Sequence, residues 1–198
     1  MHFDAQKTAS LQTGLTAAWH QQRPCASDEG FERLVIENHL CNFLLWHEED
    51  IARRDDLGFE RVYQAKRAID RYNQERNNFI EQMDQALVVA LRPATQDCPQ
   101  NSETPGMIID RLSILSLKEF HMREQAMRED ADEGHRALCA AKLSRIVLQR
   151  DDLTRSLAEL IDAVAAGTRT FAVYYQFKMY NDPSLNPQLY RGSGTPDA

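Results

Sequence analysis

The sequence predicts an all-α fold, an antiparallel bundle of long helices. Three observations carry this. The 198 residues include only 8 Gly and 7 Pro, so few positions can break an element. Apolar residues recur at steps of three and four, most cleanly at Leu143, Ile146, Leu153, Leu157, Leu160 and Val164. Helix start and stop signals stand at the ends of the periodic segments.

In chain order, a short helix is expected around residues 10–20, followed by a loop through Arg23-Pro24-Cys25-Ala26-Ser27-Asp28. Asp28 is a candidate N-cap for a first long helix over 31–54. Gly58 marks a turn, and a second long helix follows over 59–91. Pro93 and Pro99 mark a linker. Thr104 can cap a third helix, with Pro105 at its first position, where the missing N–H costs nothing. That helix is expected to reach about Asp132. Gly134 should break it, and a fourth helix should run to Ala166, stopped by Gly167.

Phe171, Val173, Tyr175, Phe177 and Met179 alternate with a strand period. No partner strand is evident elsewhere, so a helix is expected over 168–180. The turn-rich end after Asn181 is expected to wrap the bundle or fray. The chain then divides into a first hairpin (28–92), a second (103–166) and an extension (167–198). Arg76-Asn77-Asn78-Phe79 resembles Arg150-Asp151-Asp152-Leu153, with Met83 and Leu157 at the same offset. Two similar hairpins would explain this, and so would chance likeness of two amphipathic helices.

Composition narrows the function. A net charge of -7 gives no general electrostatic attraction to nucleic acid or anionic membrane. The four cysteines form no C-x-x-C pair, and Cys41 and Cys139 fall in apolar helical patterns as small core residues. No apolar leader or bilayer-length stretch is present, so a cytoplasmic setting is expected. Walker, G-x-G-x-x-G, G-x-S-x-G and zincin patterns are missing.

The informative feature is polarity inside apolar helix faces. The first long helix is apolar nearly all round and should be central. It nevertheless carries Asn38, Asn42 and Glu49 in one stripe, flanked by Trp46. Burying such groups without partners costs on the order of 2–3 kcal/mol each. The second helix offers Lys66, Asp70, Asn73, Asn77 and Asp84 along a neighbouring line, with Glu81 just off it. The third offers Asp110 and His121 on one stripe and Arg111 and Lys118 on another. Bland roles compete with these. A charge run is usually a solvated face, Asp110 in a first turn can serve the helix dipole, and a lone histidine is usually a satisfied one.

Three functions follow. The favoured one is a pocket for a small polar or phosphorylated metabolite, sugar or nucleotide in type. Glu49, Asp70 and His121 would be its acid–base or metal candidates. Asn38, Asn42, Asn73, Asn77, Asp110, Arg111 and Lys118 would bind the ligand, with Arg111 and Lys118 facing any anionic group. The second is a helical scaffold, a homodimer, whose polar residues form a register-setting network. The third is a metal-dependent nucleotide pyrophosphohydrolase. Glu49, Asp50, Asp70, Glu81, Asp84 or Asp110 would there hold Mg²⁺ or Mn²⁺ rather than zinc. The Glu81–Asp84 step supports it, and the consecutive Glu48-Glu49-Asp50 matches its other half poorly.

Three stretches carry a family resemblance. They are Asn38 with Leu45-Trp46-His47-Glu48-Glu49-Asp50 and Arg53; Lys66-Arg67-Ala68-Ile69-Asp70 with Asn73-Gln74 and Arg76-Asn77; and Glu103-Thr104-Pro105-Gly106 leading to Asp110-Arg111-Leu112-Ser113-Ile114-Leu115 and Lys118. Together they resemble a bacterial family known only as domain-of-unknown-function family 4254. The resemblance implies an all-α fold and a bacterial cytoplasmic setting, and assigns no activity and no catalytic residue. The last stretch also resembles a helix motif of other uncharacterised bacterial proteins, some linked to glycan and lipopolysaccharide genes, an association of neighbourhood only.

Overall fold

The structure, a computed structural model, describes residues 3–22, 29–94, 97–179 and 182–190. Among these residues six α-helices follow in order: α1 Ala5–Trp19, α2 Gly30–Ile51, α3 Phe59–Leu91, α4 Pro105–Ala126, α5 Glu133–Ala165 and α6 Pro187–Tyr190. A 3₁₀ turn, Asp55–Leu57, lies between α2 and α3. Among the described residues there is no strand, and the all-α expectation holds.

Most boundaries follow from caps. Asp4 caps α1 by accepting the Lys7 N–H at 3.0 Å, so this helix begins well before the expected residue 10. The expected cap Asp28 lies outside the described residues, and Glu29 holds the N-cap position of α2 without a side-chain bond. Thr104 caps α4 as expected, accepting the Met107 N–H at 3.2 Å. The third helix stops short of Asp132, because Asp132 itself caps α5 by accepting the His135 N–H at 2.8 Å. Gly134 consequently sits inside the first turn of α5 rather than between helices.

The expected helix over 168–180 does not form. Gly167, at φ +70°, ends α5, and the N–H groups of Thr168 and Arg169 turn back to the Ala163 carbonyl. The β-branched and aromatic residues beyond it run extended. Thr170 makes a single parallel bridge to Gln100, and Phe171 plugs into the core at 4% exposure. The alternation therefore signals an extended strip lying on the bundle, with no sheet to join.

The helices pair as two hairpins, α2 with α3 and α4 with α5. The hairpins match in length, 22 and 33 residues in each. Arg76 lies 17 residues past Phe59, and Arg150 lies 17 past Glu133. Their partners do not repeat. Arg150 pairs with Glu119 inside its own hairpin, whereas Arg76 reaches across to Asp110 of the other. The centre also differs from expectation. It is α4, rather than α2, that packs against each of α1, α2, α3 and α5. The main core gathers Val35, Met83, Leu87, Ile109, Leu112, Leu157, Ile161 and Val164, and a second cluster holds Trp19, Ile36, Phe43 and Leu117. Cys41 and Cys139 are buried among the helices as expected.

One contact fixes where α4 begins. The N–H of Gly106 donates to Asp84 Oδ1 of α3 at 2.7 Å. A Cβ built on Gly106 would stand 2.7 Å from both that oxygen and the Ile80 carbonyl. A backbone carbonyl inside a helix has little room to yield. Gly106→Ala is therefore expected to cost about 1–3 kcal/mol, as overpacked core substitutions do, and urea denaturation would measure it.

Candidate functional site

The polar residues of the helix faces meet as a continuous seam. Asp110 of α4 is its centre, 3% exposed. Its Oδ1 accepts from Asn38 Nδ2 at 3.0 Å, Asn42 Nδ2 at 2.9 Å and Arg76 Nε at 2.8 Å. Its Oδ2 accepts from Arg76 Nη2 at 2.6 Å. The fork–fork pair and two amides give the carboxylate four donors, three at Oδ1 and one at Oδ2. Burial opposes the Arg76 charge more than any other single influence. The hydrogen bond and charge of Asp110 still hold the Arg76 pKa above its ordinary value. Asp110 is thus neither a helix cap nor a free acid; it anchors α2 and α3 to α4.

The seam continues inward through neutral groups. Asn42 Nδ2 also donates to Ser113 Oγ at 3.0 Å, and Ser113 Oγ lies 2.7 Å from His39 Nδ1. His39 Nε2 lies 3.1 Å from Thr16 Oγ1, whose hydroxyl donates to the Gln12 carbonyl at 2.9 Å. With the Thr16 proton directed to the Gln12 carbonyl, Nε2 carries the imidazole proton and donates to Thr16 Oγ1. Nδ1 is then the acceptor for Ser113. Burial pushes the His39 pKa down to about 3, which keeps the ring neutral. Gln12 Nε2 closes the path on the Ile109 carbonyl at 3.0 Å. One chain of hydrogen bonds so ties α1, α2, α3 and α4. Arg150 links α5 to the bundle, bonding Thr13 at 3.0 Å and pairing with buried Glu119.

The seam opens at one end. A recess of about 330 Å³ lies between α2, α3 and α4. From α2 it takes Asn42, Leu45, Trp46, Glu49 and Asp50, with Arg53 just past the helix end. From α3 come Asn73 and Arg76, and from α4 Ile114 and Leu117. A neighbouring recess of about 440 Å³ between α4 and α5 is lined by Arg111, Lys118, Gln149 and Asp152, with Ile114, Leu115 and Leu153. Ile114 borders both.

The residues singled out from sequence divide accordingly. Asn42, Glu49 and Asn73 line the first recess, and Asn38 and Asp110 lie beneath it. Arg111 and Lys118 share the second, although Arg111 is engaged by Glu103 at 2.5 Å. Glu49 pairs with Arg53 at 2.6 Å. Asp70, Asn77 and His121 line neither recess. Asp70 sits a turn before Asn73 on α3 and is held by Lys66 at 2.6 Å. His121 stacks on Trp46 at 4.7 Å and meets His20 at 4.9 Å, in a cluster with His47 and Phe120. Burial and then the charges of His20 and His121 lower the His47 pKa. Arg76, Arg53, His39, Thr16 and Ser113 were not singled out as site residues. Only Arg76 gave a signal, as an arginine inside an apolar stripe.

Of the acids proposed for a metal, Glu49 and Asp50 share the first recess, and the others are engaged elsewhere. Glu81 accepts the Gln176 N–H at 2.8 Å, Asp84 is committed to Gly106, and Asp110 is held by Arg76 and two amides. Among the described residues, no group of three or more His, Cys, Asp or Glu side chains could hold a metal ion. In the same residues no helix is long and apolar enough to cross a membrane.

A family model described as a protein of unknown function, DUF4254, matches residues 32–173. The chain belongs to the DUF4254 family. The match begins in α2 and ends just beyond Phe171, so it takes in both hairpins and both recesses. No curated protein and no solved structure matches the chain.

Proposed function

We propose that this DUF4254 chain binds a small polar metabolite in the recess between α2, α3 and α4. The observation that carries the reading is the convergence of Asn42, Glu49, Asn73 and Arg76 on one opening beside the Trp46 ring. Amides, a carboxylate and a guanidinium supply donors and acceptors for hydroxyl or phosphoryl groups, and the indole and Leu45 supply an apolar wall. The seam beneath supports this role. Arg76 and Asn42 cannot swing freely, because Asp110 and Ser113 hold them; both Asn42 Nδ2 protons are used there, so Asn42 offers its Oδ1 as an acceptor and Arg76 its Nη1 as a donor, each oriented before any ligand arrives. Proton transfer to such a ligand would fall to Glu49 or Asp50, the carboxylates on the opening.

A second reading treats the seam as a register device in a scaffold, a homodimer in solution. Its support is the bonding of Asp110, Ser113 and His39 to one another's neighbours within the bundle, away from the recess. The two readings separate in a thermal-shift screen of sugars, sugar phosphates, nucleotides and sugar nucleotides, with and without Mg²⁺ or Mn²⁺. A recess ligand at 100 times its Kd should raise stability by about 2.7 kcal/mol, a rise in Tm of roughly 5–10 °C. Asn73→Ala should leave the unliganded Tm unchanged, since that side chain bonds nothing among the described residues, and should abolish most of the rise. A scaffold would give no ligand shift, and its Tm would instead depend on protein concentration.

A further inference from the structure

The extended strip after Phe171 places its side chains in an unusual order. Phe177 and Met179 stand in solvent, Phe177 at 82% exposure, while Lys178 between them is half-buried. A strip laid on a protein surface ordinarily buries its apolar residues and leaves lysine in water. Here the Lys178 ammonium reaches inward to the Asn73 carbonyl of α3 at 3.1 Å. Two anchors hold the strip in that register. Phe171 is buried in the core, and the Gln176 N–H donates to Glu81 at 2.8 Å.

Asn73 lines the recess, and Arg76 follows it by one turn on the same helix. The strip therefore brings the Lys178 ammonium to α3 one turn from Arg76, beside a recess whose other cation, Arg53, is already paired with Glu49. Burial and then the Arg76 charge lower the Lys178 pKa, with Asp70 acting against them. No carboxylate lies within ion-pair distance of Lys178 among the described residues, and Asp70 is engaged by Lys66. Arg76 is only partly used. Its Nε and Nη2 grip Asp110, and Nη1 has no partner among the described residues. Two cations drawn together where water is partly excluded repel each other, and an anion between them attracts both.

We propose that Lys178 and the free edge of Arg76 form the anion-binding end of the recess, so that its ligand carries a phosphate or carboxylate group. This rests on the recess being a ligand site, and it moves the anion subsite away from Arg111 and Lys118. Asn42, Glu49 and Trp46 are left for the uncharged part of the ligand.

The test is an NMR titration of the full labelled chain at fixed ionic strength, with inorganic phosphate in one arm and citrate in another. A third arm uses neutral glucose and adenosine. At least one anion is expected to give a saturable shift at Lys178 Cε and Arg76 Nε, and the tighter one identifies the acid. Lys178→Gln should weaken that binding about tenfold or more, the loss of one charge-assisted contact. Lys178→Arg should restore most of it, and Lys118→Gln should leave it unchanged. The inference is overturned if neither anion shifts Lys178, if Lys178→Gln binds like the parent, or if Lys118→Gln loses as much. Shifts of Trp46 and Asn42 by glucose or adenosine, with Lys178 unmoved by either anion, would sink the anion subsite and leave the recess a ligand site. No shift in the recess from any arm would sink both.

Discussion

Asp110→Ala is expected to destabilise the fold by about 3–5 kcal/mol, the range for removing one partner of a buried ion pair. The cause is what the substitution strands. Arg76 keeps a largely buried charge with no counterion, and the Nδ2 groups of Asn38 and Asn42 each lose one of their two acceptors. For a chain of this length the Tm should fall by roughly 6–20 °C. Asp110→Asn keeps an oxygen for the two amides, loses the charge, and should cost less. A double-mutant cycle with Arg76→Met separates the worth of the pair from the penalty of orphaning either member. If Arg76→Met with Asp110→Leu recovers stability lost by the singles, the seam is held for specificity of register rather than for strength.

Acid should destabilise the protein from about pH 6.5 downward, through His39. In the unfolded chain this imidazole titrates near 6.5, whereas in the fold burial holds it at about 3. Above pH 6.5 both states are neutral and the group has no effect. Between these values the unfolded state binds a proton that the native state refuses, so stability falls as pH falls. The full slope is about 1.4 kcal/mol per pH unit, or roughly 2 kcal/mol lost by pH 5. His47, whose pKa is also lowered, adds loss of the same sign. Asp84 opposes them. Burial raises its carboxyl to about 6 from 3.8, so the native state takes up the extra proton and gains stability as pH falls between those values. Urea denaturation at pH 7.5, 6 and 5 would resolve the two. His39→Gln should flatten the acid loss, and Asp84→Asn should steepen it. Equal pH dependence in all three proteins would mean that neither group titrates as its burial requires.

How much of this was legible depended on whether a signal was local. Helix α3 ran from Phe59 to Leu91 as its pattern predicts, and Thr104-Pro105 opened α4, because caps and periodicity are written within a few residues. The end of α4 was misplaced because Asp132 can close one helix or cap the next, and only its bond to His135 decides. The strip after Gly167 was read as helix because its alternation had no strand to pair with. Its partners are side chains and a linker far away in sequence. The same limit applies at the site. Asn38, Asn42 and Asp110 stood out as polar residues on apolar faces. That Arg76 would close on Asp110, or that Lys178 would reach Asn73, depends on tertiary packing that no spacing encodes. His121 shows the same limit: its stripe is visible in the sequence, but that its ring stacks on the Trp46 indole beside His20, and does not itself line the recess, is set by packing.

The polar seam is bonded through Asp110, Ser113 and His39 inside the bundle, with only Asn38 Oδ1 and Gln12 Oε1 of its buried atoms unpartnered among the described residues, and it is open at one recess. The chain has two tryptophans, and they divide along that line. Trp46 lines the recess, while Trp19 is buried at 7% exposure against His39 and Phe43. The two indole N–H signals in a ¹H–¹⁵N spectrum therefore report on the two sides separately. Any compound that raises Tm should move the Trp46 indole and the Asn42 and Asn73 side-chain amides, and leave the Trp19 indole in place. Stabilisation by compounds that leave Trp46, Asn42 and Asn73 unmoved, with shifts mapping elsewhere on the bundle, would contradict it.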